Sequence, residues 1–241
     1  QANSFRNGVS SERQYVNPSI LFKLSKKTDL LLEADYLADR RTPDFGAGII
    51  NYQIVDIPRE RFLGVAWSSV KSGQTSLSST LTHSFNEVWT LKWMNGIRQN
   101  STNLFANSRP NTGALITANG NWVRNLQKTE IEERYGITQL DLIGDLKFAS
   151  MKHQVLMGMD SDFFITDTYA YNPYLKYDTV NVFVDAKATM RSDKPAMQLA
   201  RKTMAPVSRL GIYAQDLIHV SDQLKVLLGL RYSYQQTLSD V

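Results

Sequence analysis

The chain has three imidazoles, His83, His153 and His219, and each stands alone in the sequence. Metal centres draw on clustered ligands at short spacing, so none of the three is expected to bind a metal. Each reads better as a strand-end residue beside a turn. The acid pairs Glu132-Glu133 and Asp160/Asp162 have the residue types for acid–base chemistry, but a solvated polar face accounts for them more simply. Cysteine is absent, which removes thiol nucleophiles, disulfide frameworks and thiolate-bound zinc together. Neither a Gly-rich phosphate loop, nor Gly-x-Ser-x-Gly, nor His-Glu-x-x-His occurs. The expectation is a protein that is not an enzyme and needs no cofactor.

What remains is recognition. The long polar segments carry Arg40, Arg41, Trp67, Arg109, Tyr169, Tyr171, Tyr174 and Tyr177. Tyr and Trp offer broad, rigid contact area, and Arg pairs with anionic oxygens. Arg40, Arg41, Trp67, Tyr169, Tyr171, Tyr174 and Tyr177 are therefore the candidate ligand contacts. The tyrosines would serve equally well in an interfacial aromatic girdle, or simply pack a loop. The formal charge of +4 suits an anionic membrane surface or anionic ligands. No basic run is present, so nucleic acid is not an expected partner.

The elements that position these residues announce themselves by alternation. Val16, Pro18, Ile20, Phe22 and Leu24 alternate with Asn17, Ser19 and Lys23. Leu30, Leu32, Ala34 and Tyr36 then alternate with Asp29, Glu33 and Asp35. Further on, Trp89, Leu91, Trp93 and Ile97 oppose Thr90, Lys92 and Arg98. Leu140, Leu142 and Leu146 oppose Gln139, Asp141 and Asp145, and Leu224, Val226, Leu228 and Leu230 oppose Lys225 and Arg231. One face is greasy and the other charged. Helical periodicity is nearly absent; a short helix over 195–204 is the one candidate.

Short turns near 25–29, 86–87, 149–150 and 221–222 alternate with long polar segments, about 39–72, 100–118 and 166–203. Loops that long are uncommon in a compact soluble domain. Brief turns at one end and extended loops at the other are the habit of outer-membrane barrels. Residues 121–148 read as one very long strand, far beyond the roughly 9–11 residues that span a bilayer. No stretch approaches the roughly 18 apolar residues of a membrane helix. The opening Gln1-Ala2-Asn3-Ser4 has no signal-peptide character, so the chain is expected to begin mid-protein or after processing. A soluble sandwich or lipocalin-like barrel also alternates. One-sided long loops, long strands and charges on the second face favour the membrane barrel.

Several strings resemble the TonB-dependent siderophore receptor family. They are Ser4-Phe5-Arg6-Asn7 with Arg13-Gln14-Tyr15-Val16-Asn17-Pro18-Ser19, Asp39-Arg40-Arg41-Thr42-Pro43-Asp44-Phe45-Gly46 with Arg61-Phe62-Leu63-Gly64, and His83-Ser84-Phe85-Asn86-Glu87-Val88-Trp89-Thr90-Leu91. Gln139-Leu140-Asp141-Leu142 with His153-Gln154-Val155-Leu156-Met157-Gly158 follows in the right order. Gly211-Ile212-Tyr213-Ala214-Gln215-Asp216 with Leu227-Leu228-Gly229-Leu230-Arg231-Tyr232 is the most characteristic pair. The resemblance implies an all-β, antiparallel up-and-down transmembrane β-barrel of 22 strands, plugged by an N-terminal globular domain. About eight or nine strands fit here, so residues 1–241 are expected to form part of the barrel domain, without the plug and without the aromatic-terminated closing strand. It implies the bacterial outer membrane as location. The implied partners are a ferric siderophore, outer-membrane lipid, and TonB through parts outside this chain. A receptor for another substrate (vitamin B12, an oligosaccharide), a passive porin, and a soluble adhesive or structural β-domain stay open.

Overall fold

The computed structural model describes residues 2–184 and 191–238. Its strands are β1 (Ala2–Asn3), β2 (Ser10–Val16), β3 (Ser19–Ser25), β4 (Thr28–Arg41), β5 (Ile49–Ile50), β6 (Gln53–Ile54) and β7 (Ser69–Ser84). They continue with β8 (Trp89–Asn107), β9 (Asn121–Phe148), β10 (Met151–Tyr171), β11 (Tyr174–Asn181), β12 (Leu199–His219) and β13 (Lys225–Thr237). All pairings are antiparallel. One sheet runs β1-β2-β4-β7-β8-β9-β10-β12-β13, with β3 also on β4 and β11 also on β9; β5 and β6 form a separate hairpin. The sheet is an open section of an up-and-down barrel.

β2 and β3 are one strand interrupted at Asn17-Pro18, where proline has no N–H to give the ladder. The gap is bridged from β4: Ala34 N donates to Pro18 O at 3.0 Å, and Asn17 Nδ2 donates to Ala34 O at 3.0 Å. Counted together, they leave eight strands running the length of the wall.

The four expected short turns all lie at one end. Lys26-Lys27 joins β3 to β4. Asn86 Oδ1 closes the next turn by accepting from Val88 N at 2.8 Å and Trp89 N at 2.9 Å. Ala149 and Ser150 both adopt positive φ, 46° and 64°, the geometry of a two-residue hairpin turn that follows strand twist. Residues 220–224 make the fourth.

Register converts alternation into two faces. Phe22, Leu30, Leu81, Trp93, Leu140, Met159, Ile212 and Tyr232 are successive cross-strand partners over all eight strands. This row is entirely apolar and points to the outer side. The adjacent inner row reads Lys92, Asp141, Gly158, Tyr213, Arg231. On β10 the outer band extends from Val155 to Ile165, ten steps of about 3.3 Å tilted by about 40°, hence about 25 Å tall. That is the height of a lipid-facing belt. Above it the outer face turns charged, with Glu12, Arg40, Lys71, Glu130 and Lys202 in one row.

The structure corrects three sequence expectations. The long segments shrink to 42–68, 108–120 and 172–198, because strands continue beyond the belt into polar sequence. Arg40, Arg41, Tyr169 and Tyr171 consequently sit on strands rather than in loops. The short helix over 195–204 does not form: residues 195–198 are irregular and Leu199 onward pairs with β10, so backbone demand from the neighbouring strand overrides local propensity.

Candidate functional site

Every buried hydrophobic side chain among the described residues lies at the long-loop end, none in the belt. The belt's apolar groups are made for lipid; the loops make their own core. Val55, Leu63, Ile116, Trp122, Val180 and Val182 form one cluster, and Val65, Phe105, Leu126 and Tyr177 a second. Burying such side chains contributes about 1.5–3 kcal/mol each, enough to hold an ordered cap above the wall. Residues 42–68 are thereby laid across β8, β9 and β11.

β11 is the device that makes the cap continuous with the wall. β10 pairs with β9 from Phe148 up to Thr129, and β11 then takes the same edge of β9 from Leu126 to Asn121. A bulge lies between Tyr174 and Asp178, where Lys176 adopts φ 51°. Beneath it Arg124, fully buried, donates to Leu63 O at 3.1 Å and Gly64 O at 2.9 Å, and pairs with Asp178. Arg61 Nη1 donates to Val182 O at 2.8 Å. The first long loop is thus pinned to the third.

The seven candidate contacts fall into three groups. Trp67, Tyr174 and Tyr177 come together: Trp67 and Tyr177 stand edge-on at 6.2 Å between centroids, Tyr174 and Tyr177 at 6.3 Å. Tyr177 is buried, and its hydroxyl donates toward Arg191 O at 3.0 Å and Asp193 O at 2.6 Å. Arg191 lies 4.7 Å over the Tyr177 ring, and Lys194 Nζ lies 5.8 Å from the Trp67 ring. The corner is therefore aromatic with cationic edges. Asp193 accepts a hydrogen bond from Arg191, which holds its carboxyl below the usual range.

Arg40 and Arg41 are neighbours on β4 and point to opposite faces. Arg41 lies on the inner side beside buried Asp39, Nη1 to Oδ2 3.6 Å. Both arginines and Trp67 border a polar hollow of about 350 Å³. Tyr169 and Tyr171 form the third group, on the outer face of β10 with Lys202 and Lys128 against their rings at 5.1 and 3.9 Å. Sequence reading missed Arg124, Arg191 and Lys194, since single cations in polar segments carry no periodic or motif signal.

The three histidines lie apart, and two of them have separate partners. His83 Nδ1 meets Thr28 Oγ1 at 2.8 Å, and His153 Nδ1 meets Asp216 Oδ2 at 2.7 Å; His219 lies at the end of β12. Among the described residues no group of three or more His, Asp or Glu could hold a metal ion. On the inner face, Arg231 grips Asp160 at 2.7 and 2.9 Å across Gly211, and Tyr213 donates to Asp141 across Gly158.

Residues 16–241 match the family model for the TonB-dependent receptor-like β-barrel. The chain belongs to that family. Its members are transport receptors of the bacterial outer membrane, so the outer face of this wall lies in lipid and the long loops face outward. The chain is 28% identical over 245 residues to the metal-pseudopaline receptor CntO of Pseudomonas aeruginosa, covering 98% of this chain and 33% of that protein. It therefore spans about a third of the length of the curated relatives it matches. Its fold superposes on the ferric preacinetobactin receptor BauA of Acinetobacter baumannii with a TM-score of 0.82 at 14% identity, covering 99% of this chain and 36% of the receptor. The ferripyoverdine receptor of P. aeruginosa gives 0.82 at 19% identity, covering 98% and 32%.

Proposed function

We propose that the whole protein imports a ferric siderophore, or a closely similar metal chelate, across the outer membrane with energy supplied through TonB. Residues 1–241 supply barrel wall and outward loops within one barrel domain. The observation that carries this reading is the prebuilt corner of Trp67, Tyr174 and Tyr177 with Arg191 and Lys194 at its edges. Aromatic faces and cations recognise the organic shell of an anionic chelate. The protein then has no need to ligate the metal.

Arg41, Trp67 and Tyr174 are the proposed contacts, with buried Tyr177 fixing their geometry. Arg40, Tyr169 and Tyr171 border the same end of the wall from its outer face. The named ligands of the relatives, metal-pseudopaline, preacinetobactin and pyoverdine, are all of the chelate class. A receptor of this family for vitamin B12 or an oligosaccharide is the second reading, and a passive porin the third.

The experiment uses the full-length receptor in cells. Labelled ferric siderophore is measured for binding and for uptake, with and without TonB, in wild type and in a Trp67→Ala/Tyr174→Ala double variant. The reading expects about tenfold weaker binding in the variant and uptake only with TonB. Unchanged affinity removes the corner from recognition. Uptake without TonB makes the protein a porin.

A further inference from the structure

We propose that the outer face of the wall carries a contact site for a second copy of this chain, centred on Asn95 within the lipid belt. On β7, β8, β9 and β10 the residues Ser79, Asn95, Thr138 and Ser161 are successive cross-strand partners on that face. The outer row toward the short turns reads Leu81, Trp93, Leu140, Met159, and the one beyond reads Leu77, Ile97, Gly136, Phe163. A polar stripe across four strands is thus enclosed in apolar surface.

The hydrogen bonds within the stripe leave one group unsatisfied. The Trp93 indole N–H can only donate, and it donates to Thr138 Oγ1 at 3.1 Å. The Thr138 hydroxyl in turn donates to Asn95 Oδ1 at 2.9 Å. Asn95 therefore turns its carbonyl to this chain and keeps both N–H groups of Nδ2, which donate to no protein atom among the described residues. Lipid tails hold no acceptor, so an amide donor left among them is costly.

A second copy supplies the acceptor at the right depth. A carboxamide is its own complement, because it holds both donors and an acceptor with two lone pairs; Thr138 occupies only one of these. All copies insert in the membrane with the same orientation. A two-fold axis along the membrane normal then sets a residue on the axis against itself. With Asn95 at the axis, Nδ2 of each copy donates to Oδ1 of the other. The stripe has no ionic group, so a charged partner finds nothing to pair with.

The shape of the face allows the approach. Strands tilted by about 40° cross at about 80° in such a pair. The large neighbours of Asn95 on β8, Trp93 and Ile97, then pass over the small side chains on either side of the other copy's Asn95, at Ser79 and Ser161, rather than over each other. Small residues permit close contact between membrane segments. A hollow of about 350 Å³ bordered by Asn95, Gly136, Thr138, Ser161 and Phe163 leaves room for the incoming groups. The site rests on the lipid-facing assignment of this surface and is independent of which ligand is imported.

The test uses full-length receptor labelled separately with donor and acceptor dyes and mixed in phosphatidylcholine vesicles over a range of protein densities. Energy transfer above that of random mixing is expected for the wild type, and Asn95→Leu should need about tenfold higher density to reach the same transfer. Mild oxidation should link Asn95→Cys into a dimer and leave Leu228→Cys, elsewhere in the belt, as a monomer. Unfolding of Asn95→Leu in detergent is expected to be unchanged or later, since the wall loses only an unsatisfied amide. A wild type without excess transfer would overturn the proposal and leave lipid as what covers the stripe. Unchanged association of Asn95→Leu, or equal linking of the two cysteine variants, would overturn it as well. Earlier unfolding of Asn95→Leu in detergent would show that the amide serves the wall itself, with the same consequence.

Discussion

Arg124 and Asp178 are locked in a two-armed ion pair beneath the cap, with Arg124 Nε donating to Asp178 Oδ1 at 2.7 Å. The guanidinium is sealed from solvent and also holds two carbonyls of the first long loop. Removing one partner of a buried pair leaves the other charge uncompensated, at a cost of about 3–5 kcal/mol. Arg124→Met is expected to loosen the cap and leave the wall intact, because the wall's ladder does not pass through this residue. Hydrogen exchange checks it: amides over 53–66 and 174–182 should lose protection, and those of β10 and β12 below the cap should keep theirs.

Leu91 and Leu228 lie in the lipid belt. An arginine at either position should destabilise the full-length receptor, by less than the about 2–4 kcal/mol of the bilayer midplane because both residues lie toward the short-turn end of their strands. Lys92→Arg, on the inner face, should leave it within about 0.5 kcal/mol. Reversible denaturant unfolding from vesicles provides the measurement, and equal losses at Leu91 and Lys92 would contradict the assignment of faces.

On the inner wall, a Cβ at Gly158 or Gly211 would enter the space taken by Tyr213 or Arg231. Gly211→Val is expected to displace Arg231 from Asp160 and to cost about 1–3 kcal/mol through overpacking. Gly229, which meets only ordinary contacts, should accept alanine with a smaller change. Thermal melting of the two variants in detergent compares them directly.

The clamp on Tyr171 has a defined pH window. The hydrogen bond from Lys128 holds the Glu130 carboxyl below its ordinary 4.5. A depressed carboxyl gives stability that is present above 4.5 and is lost as pH falls through its folded value. Burial pulls Lys128 down, but the bonds to Glu130 and Tyr171 outweigh it and raise the ammonium above 10.5. That contribution is complete below 10.5 and fades as pH rises through the higher folded value. Exchange-corrected protection over 168–171 should therefore be flat from about pH 5 to 10 and fall on the acid side. Glu130→Gln should abolish the acid limb.

The belt was legible in the sequence because lipid imposes a strict demand on every second residue. The turn at Ala149-Ser150 follows from that pattern directly, and the full length of β9 from a run with no proline and only Gly136 and Gly144. Above the belt the demand ends on both faces, so alternation fades while the strand continues. Arg40, Arg41, Tyr169 and Tyr171 were placed in loops for that reason. The cap was invisible for another: Val55, Leu63, Ile116 and Val180 belong to short apolar groups without a sustained period, and only tertiary packing gathers them. Of the seven candidate contacts, the residue types suggested recognition, and an inner Arg41 separates from an outer Arg40 only once β4 is known to continue to Arg41.

β9 runs unbroken while it exchanges β10 for β11 along a single edge, the partner's register shifting at the changeover and again at the bulge before Asp178. One frame therefore governs two readers. Inserting a single residue between Leu126 and Leu140 would turn the greasy side of the wall inward relative to the cap, or swing Arg124 out of its burial, since a strand's faces invert with every slip of one. A lengthening of this mast that keeps both readers in phase must therefore come in even counts, or carry a compensating bulge like the one before Asp178.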